Sequence, residues 1–395
     1  MAVHAGRSDL AKLGVHALPI DLSTATPLVD IGKGGHAYEV LASGQTLGEG
    51  DSTVYRRLWN PTVARFENAV SELESWALRA RGEDLAKDVQ TVAFATGMAA
   101  ISGLLLSRVS MGLSHVIAVR PLYGGTDHLL ATGLLGTNVE FVAPDSVAAA
   151  IRKDTGLVMV ESPANPTLDL VDIRRIVADA AGIPVMVDNT FATPVLQQPL
   201  DLGATFSVHS ATKYLGGHGD AMGGTVTTTA KNAIVLRQIR AITGALLDPW
   251  TAYLLHRGLP TLPLRVHQQE QTAMALAHWL KRRPEVSRTY YPGFAECDPH
   301  GLVADQMYGS GAMVSFELPG GFAAADAFCK GLRLITHAVS LGGVDSLIQH
   351  PAALTHRLVS AEAKPGEGLL RISVGLESLG DLMTDLESAF DQIGK

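Results

Sequence analysis

The sequence predicts an α/β protein with a mostly parallel central sheet, followed by a smaller C-terminal α/β domain. Two observations carry the prediction. The first is a series of short apolar runs without polar alternation: HVIAV (115–119), VEFVA (139–143), LVMVE (157–161) and PVMVD (184–188), separated by helical patterns. Strands of this kind are buried on both faces, which is the signature of a parallel sheet covered by helices. The second is a change of pattern near residue 256. A helical stretch at 266–282 leads to Tyr291, Pro292 and Gly293, then to the strand AMVSFEL (312–318). A final helix shows Leu382, Leu386, Phe390 and Ile393 on one face. The C-terminal sheet is expected to be mostly antiparallel.

Ahead of these elements, residues 1–62 are rich in Gly, Ser, Thr and Pro and show little periodicity, so they read as an extended arm. Helical spacing begins with Phe66, Val70, Leu73 and Trp76. The expected division is an arm at 1–62, a large domain at 63–255 and a C-terminal domain at 256–395.

Composition narrows the class. Of 395 residues 47% are hydrophobic and only 18% charged, so a large core is available and part of the surface is expected to be covered in an oligomer. A net charge of −8 provides no basic field for nucleic acid or an anionic membrane. No uncharged apolar run is long enough to span a bilayer, and MAVHAGRSDLAK lacks the apolar core of a signal peptide. A cytoplasmic location is expected. Cys297 and Cys329 are too few for a disulfide framework and lack metal-ligand spacing.

In an open parallel sheet, functional groups gather beyond the carboxyl ends of the strands. That rule directs attention to Tyr123, Asn165, Asp188 and residues 210–213. Asp188 ends the run PVMVD. Its Asp-Asn-Thr sequence can simply begin a turn, or its carboxylate can hold a ring nitrogen protonated, as a pyridoxal phosphate (PLP) electron sink requires. In TFSVHSATKYLGGHGDAMGG (205–224) an apolar strand runs into Ser210, Thr212 and a lysine. Hydroxyls and free backbone N–H groups suit a phosphate, and a lysine crowded by apolar residues can lose its proton and form an imine. The other reading is a surface lysine in a glycine-rich loop. The run is no Walker loop, because its glycines follow the lysine. His209 and His218 suggest a metal, but no third ligand stands nearby and structural histidines are the simpler reading.

S-A-T-K-Y-L-x-G-H, with D-N-T-F upstream, resembles the Cys/Met-metabolism family of PLP-dependent enzymes, and the resemblance runs from AVHAG (2–6) to GLLRISVGLE (368–377). That family includes cystathionine γ- and β-lyases, methionine γ-lyases and γ-synthases. The resemblance implies the fold type I of PLP-dependent transferases. It makes Lys213 the Schiff-base lysine and proton shuttle, Asp188 the partner of the pyridinium nitrogen and Asn165 the contact of the ring hydroxyl. Tyr123 in PLYGGT becomes the stacking tyrosine with a part in proton transfer. Gly97 and Met98 in ATGMAA, with Ser210 and Thr212, become the phosphate cradle. Tyr55 and Arg57 in YRRLWNPT would reach the phosphate in a neighbouring subunit, which implies a homo-oligomer, a tetramer built as a dimer of dimers. Ser340 in HAVSLGG and Arg371 in LLRIS would bind the α-carboxylate of a small amino-acid substrate.

Within the family the motifs are mixed. Methionine γ-lyases typically have a cysteine after Y-G, where this chain has Gly125, and Lys-Asp before M-T-G-A, where it has Arg240 and Ala241. Cystathionine γ-lyases and γ-synthases often carry an acidic residue before the serine of S-L-G-G, where this chain has Val339. The resemblance implies a carbon–sulfur γ-lyase acting on cystathionine, methionine, homocysteine or a related thioether, releasing a 2-oxo acid, ammonia and a thiol. The alternative is a γ-replacement enzyme. Arg56 and the loop 41–54 have no firm reading. A nucleotide-binding oxidoreductase would need G-x-G-x-x-G between a strand and a helix, which neither GLLGT (133–137) nor GGHGD (216–220) supplies. A PLP-binding protein without turnover is opposed by the combined presence of Tyr55, Tyr123 and Lys213.

Overall fold

In the computed structural model, which describes residues 1–48 and 52–393, two sheets organise the chain. The first has seven strands: β1 (Val89–Phe94), β2 (His115–Val119), β3 (Asn138–Val142), β4 (Thr155–Glu161), β5 (Val185–Asp188), β6 (Phe206–Ser210) and β7 (Gly224–Thr229). Their order is β1-β7-β6-β5-β4-β2-β3, and only β7 runs against its neighbours. The sheet is mostly parallel, as the uninterrupted apolar runs predict. Alternate residues of those runs enter opposite cores. Val116, Ala118, Leu157, Met159 and Met186 pack on one face, while Ile117, Val119, Val158, Val160, Val185 and Val187 pack on the other. Both faces of β2, β4 and β5 are dry, so no polar alternation is needed there, whereas β3, expected to be buried as well, is a part-exposed strand at the sheet edge.

The second sheet joins β8 (Arg288–Tyr290), β9 (Met313–Glu317), β10 (Thr336–His337), β11 (Leu347–Gln349) and β12 (Leu369–Ser373) in the order β10-β11-β12-β9-β8. All pairings but β10–β11 are antiparallel. The helix Leu262–Leu280 packs through Leu276, Ala277 and Leu280 into a core that holds Val314 and Phe316 of β9. The same core contains Phe66 and Val70. The last helix, Leu379–Phe390, buries Leu382, Leu386 and Phe390, and Ile393 follows its end.

Three local expectations need correction. Residues 1–62 are not without regular structure: Ile31–Ala42 form a helix, N-capped by Asp30, whose side chain accepts from Lys33 N. Its buried positions are Gly34, Ala37 and Leu41, two of them too small to register as an apolar stripe. The helix containing Phe66 starts at Pro61, capped by Asn60, and ends at Glu74; Trp76 begins a separate short helix. Strands β1 and β7 are absent from the predicted series. Within β7, Thr225, Thr227 and Thr228 are fully buried, and Thr227 shares a hydroxyl hydrogen bond of 2.9 Å with Thr91. Of the loop 41–54, residues 49–51 lie outside the described residues. No helix among the described residues is long and apolar enough to cross a membrane.

Candidate active site

The carboxyl ends of β4, β5 and β6 deliver Glu161, Asp188 and Ser210 to one edge of the large sheet, and all three line a cavity of about 380 Å³. The loop after β1 adds the N-terminus of the helix Gly97–Val109, and the loop after β2 adds Tyr123. From the C-terminal part come Val339, Ser340, Leu341, Gln349 and Arg371.

The helix terminus is the first chemical feature. Thr96 caps it, accepting from Ala99 N, so Gly97 and Met98 keep first-turn N–H groups turned to the cavity end. Ser210 and Thr212 line the cavity beside them. The backbone is drawn in closely here: a Cβ on Gly224 would stand 2.1 Å from the Thr96 carbonyl oxygen. Neutral N–H and hydroxyl donors at a helix N-terminus form a site for an anion.

Among the described residues, Lys213 is the only lysine lining the cavity. Its Nζ donates to Ser340 Oγ at 2.7 Å. Burial, with Arg371 nearby, lowers its pKa to about 8, so near neutral pH a useful fraction is unprotonated. Ser340 stands at φ +95°, a backbone region costly to a residue with a side chain, and such strain is typical of functional positions.

Asp188 is held by its own turn. Its Oδ1 accepts from Thr190 N at 3.1 Å and Thr190 Oγ1 at 2.5 Å. Burial raises its pKa, while the two Thr190 bonds and His209 act the other way. The turn reading and the functional reading of Asp-Asn-Thr are therefore compatible, because the turn consumes one carboxylate oxygen. Behind it, His209 Nε2 meets the fully buried Glu74, whereas His218 Nδ1 lies 2.7 Å from the Gly216 carbonyl. The two histidines serve different partners.

Arg371 is 2% exposed. Nη1 donates to Asn165 Oδ1 at 2.7 Å, and Nη2 to Ser340 O at 3.1 Å and Gln349 Oε1 at 3.0 Å. Every acceptor is neutral. Its Nε has no partner among the described residues. Burial lowers its pKa to about 10, still charged at neutral pH. A buried guanidinium with an unused donor beside a cavity is prepared for a carboxylate.

All sequence-predicted site residues except Tyr55 and Arg57 line this cavity. Tyr55 is exposed and Arg57 donates to the Ala241 carbonyl at 2.8 Å, beside a different, smaller recess. Gly125 and Arg240 acquire physical explanations. A Cβ at Gly125 would approach Tyr123 Cε1 to 2.6 Å, so the tyrosine ring occupies the room that a cysteine there would need. Arg240 is turned inward, buried, and paired with Glu67 and the Ala93 carbonyl. Arg56 pairs with Asp248 at 3.2 Å. Sequence reasoning missed Glu161, Thr190, Gln349 and Thr355. Glu161 ends the apolar run LVMVE and Thr190 lies in D-N-T-F, where neither residue type by itself signals a role.

Comparison with known proteins gives the family. Residues 1–391 match the family described as Cys/Met metabolism PLP-dependent enzyme. The chain is 56% identical over 391 residues to an L-methionine gamma-lyase of Brevibacterium aurantiacum, spanning 99% of this chain and 93% of that one. It is 51% identical to an L-methionine gamma-lyase of Streptomyces avermitilis, over 98% of this chain and 87% of that one. Among solved structures, a cystathionine gamma synthase from Xanthomonas oryzae pv. oryzae superposes with TM-score 0.85 at 35% identity, covering 99% and 97% of the two chains. A cystathionine gamma-lyase from Lactobacillus plantarum does so with TM-score 0.84 at 33% identity, covering 99% and 98%. A whole-chain family match, on a cavity that joins an anion-binding helix end, a strand-end carboxylate and one neutralisable lysine, identifies the chain as a member of the Cys/Met-metabolism family of PLP-dependent enzymes.

Proposed function

We propose that the chain is a carbon–sulfur γ-lyase that cleaves methionine, cystathionine, homocysteine or a related thioether amino acid to a 2-oxo acid, ammonia and a thiol (hydrogen sulfide from homocysteine). The observation that carries the reading is the Lys213–Ser340–Arg371 arrangement. A substrate carboxylate on Arg371 brings its α-carbon toward an amine held 2.7 Å from Ser340 Oγ, beside the Arg371-bound Ser340 carbonyl.

The residues present fit PLP. The helix N-terminus with Ser210 and Thr212 suits its phosphate, Asp188 keeps a carboxylate oxygen for its ring nitrogen, and Lys213 suits its aldehyde carbon. When bound, the cofactor supplies an electron sink for carbanion chemistry. Lys213 moves the proton at the substrate Cα, and its lowered pKa suits that work near neutral pH. Arg371 and Ser340 orient the carboxylate. Asn165, locked to Arg371, couples the substrate side to the ring side. Tyr123, which lines the cavity, would stack on the ring and move a proton to the departing sulfur. Val339 and Met222 are exposed at the cavity, an apolar rim that receives a thioether more readily than a second ammonium. The relatives named as methionine gamma-lyases support the same preference.

In this reading residues 1–62 are an arm, 63–255 the cofactor-binding part and 256–395 the part that supplies Ser340 and Arg371. Tyr55 and Arg57, exposed and half-exposed outside their own cavity, are assigned to the neighbouring subunit's phosphate site in a homotetramer working in the cytoplasm. The test measures 2-oxo acid release by the purified holoenzyme from L-methionine, L-cystathionine, L-homocysteine and O-acetyl-L-homoserine. 2-Oxobutanoate from a thioether, without an added thiol, is the expected result. Turnover only of O-acetyl-L-homoserine with a thiol acceptor would replace this reading by γ-replacement, which the likeness to a γ-synthase structure favours as the second possibility.

A further inference from the structure

Glu161 has no part in the chemistry assigned above, yet it is the most constrained carboxylate at the cavity. It closes β4 and is 5% exposed. Each of its oxygens accepts one backbone N–H. Oε2 takes that of Tyr123 at 2.6 Å, and Oε1 takes that of Asn165 at 2.9 Å. Tyr123 stands on the loop after β2 and Asn165 on the loop after β4, and these two strands are neighbours in the sheet. One side chain therefore ties together two loops that present residues to the same cavity. Pro121, Pro163 and Pro166 remove donors from both loops, so few N–H groups remain to anchor them.

Arg371 is buried and hydrogen-bonded to neutral acceptors, among them Asn165 Oδ1. Asn165 is thus gripped from both sides, its N–H by Glu161 and its side-chain oxygen by Arg371. Burial and the nearby Asp188 push the Glu161 carboxyl pKa upward, while its two N–H bonds and Arg371 oppose that. The net effect is upward, and both oxygens are nonetheless used on site loops.

We propose that Glu161 is a positioning residue for the reaction, holding Tyr123 and Asn165 in register at the cavity. The inference rests on the PLP reading given above for the functional consequence, although not for the clamp itself.

The clamp needs two acceptors. Glu161→Gln offers one oxygen and sets an NH2 donor against the other N–H, whereas Glu161→Asp keeps both oxygens on a shorter stem. In holoenzyme carrying PLP, Glu161→Gln should lower kcat about 100-fold, the size expected when reacting groups shift by about an ångström. KM for methionine should change much less. The visible circular dichroism of the bound cofactor, a report of ring tilt, should change with it, and Glu161→Asp should fall between Gln and the wild type in both readouts. Wild-type kcat and dichroism in both variants, with only a lower unfolding midpoint, would overturn the proposal in favour of a purely structural carboxylate. If the variants do not fold, amide exchange in the wild-type holoenzyme decides. Tyr123 and Asn165 N–H should be as protected as the sheet core, and exchange at open-loop rates would refute the clamp. A wild type that binds no PLP, or a Lys213→Ala variant that keeps the chromophore, would instead strike the proposed function, and the amide-exchange measurement would still judge the clamp.

Discussion

The two walls of the cavity solve opposite electrostatic problems. The wall made by the large sheet gathers neutral donors, a helix terminus and two hydroxyls, where a dianion is to be bound, together with the buried carboxyl groups of Asp188 and Glu161. The wall made by the C-terminal sheet buries a full positive charge, Arg371, and surrounds it with neutral acceptors. The first wall can bind its anion with neutral donors and needs no buried cation to do so. The second carries a buried, incompletely matched cation and is relieved only by a carboxylate. Cofactor retention and substrate recognition should therefore respond to different substitutions, with Lys213 common to both.

Replacing that shared residue gives the largest effect. Lys213→Ala should lose the yellow chromophore and all measurable turnover, and retention of both, seen by absorbance and 2-oxo acid release, would end the PLP assignment. Next comes the substrate wall. Arg371→Ala removes a charge-assisted pair whose loss is worth about 3 kcal/mol, roughly a 100-fold effect. It should raise KM for methionine by that factor while PLP stays bound. A KM unchanged in steady-state assays would move carboxylate recognition elsewhere. A smaller change probes the cofactor wall: Ser210→Ala should weaken PLP affinity about tenfold, a loss near 1.4 kcal/mol, leaving KM untouched in PLP-saturated enzyme. Equal changes in both quantities would erase the distinction between the walls.

The gentlest test is pH. Lys213 in the apoprotein titrates near 8, below its ordinary 10.5, because burial disfavours the ammonium. The unfolded chain then binds more protons than the folded one between those values. Stability of the apoprotein should rise with pH across that window. The rate of PLP capture, followed by absorbance, should also climb as pH passes through about 8. A flat capture rate from pH 7 to 9 would place the lysine in a more open setting.

Much of this was readable from residue order, for identifiable reasons. β2, β4 and β5 announce themselves because both faces are packed, which requires continuous apolar runs. Asp188, Ser210, Thr212 and Lys213 follow from motif spacing. Strand β7 was unreadable, since its buried threonines satisfy their hydroxyls partly across the sheet, as Thr227 does with Thr91, and local sequence does not show that partner. The helix at 31–42 hides because its buried face is made of glycine and alanine. Glu161 ends the run LVMVE without a legible role, because its role depends on a backbone N–H 38 residues away.

The reactive groups and the strands that carry them are set by local pattern, since periodicity and turn chemistry act over a few residues. Which groups meet is a matter of folding at long range. Lys213 and Ser340 are 127 residues apart, Arg371 and Asn165 are 206 apart, and each pair touches across the two sheets. Tyr55 and Arg57 belong to the same motif set yet lie outside this cavity. Burial likewise belongs to the packed molecule: a lysine becomes neutralisable and an arginine is left one donor short only when other parts of the chain close over them and exclude water.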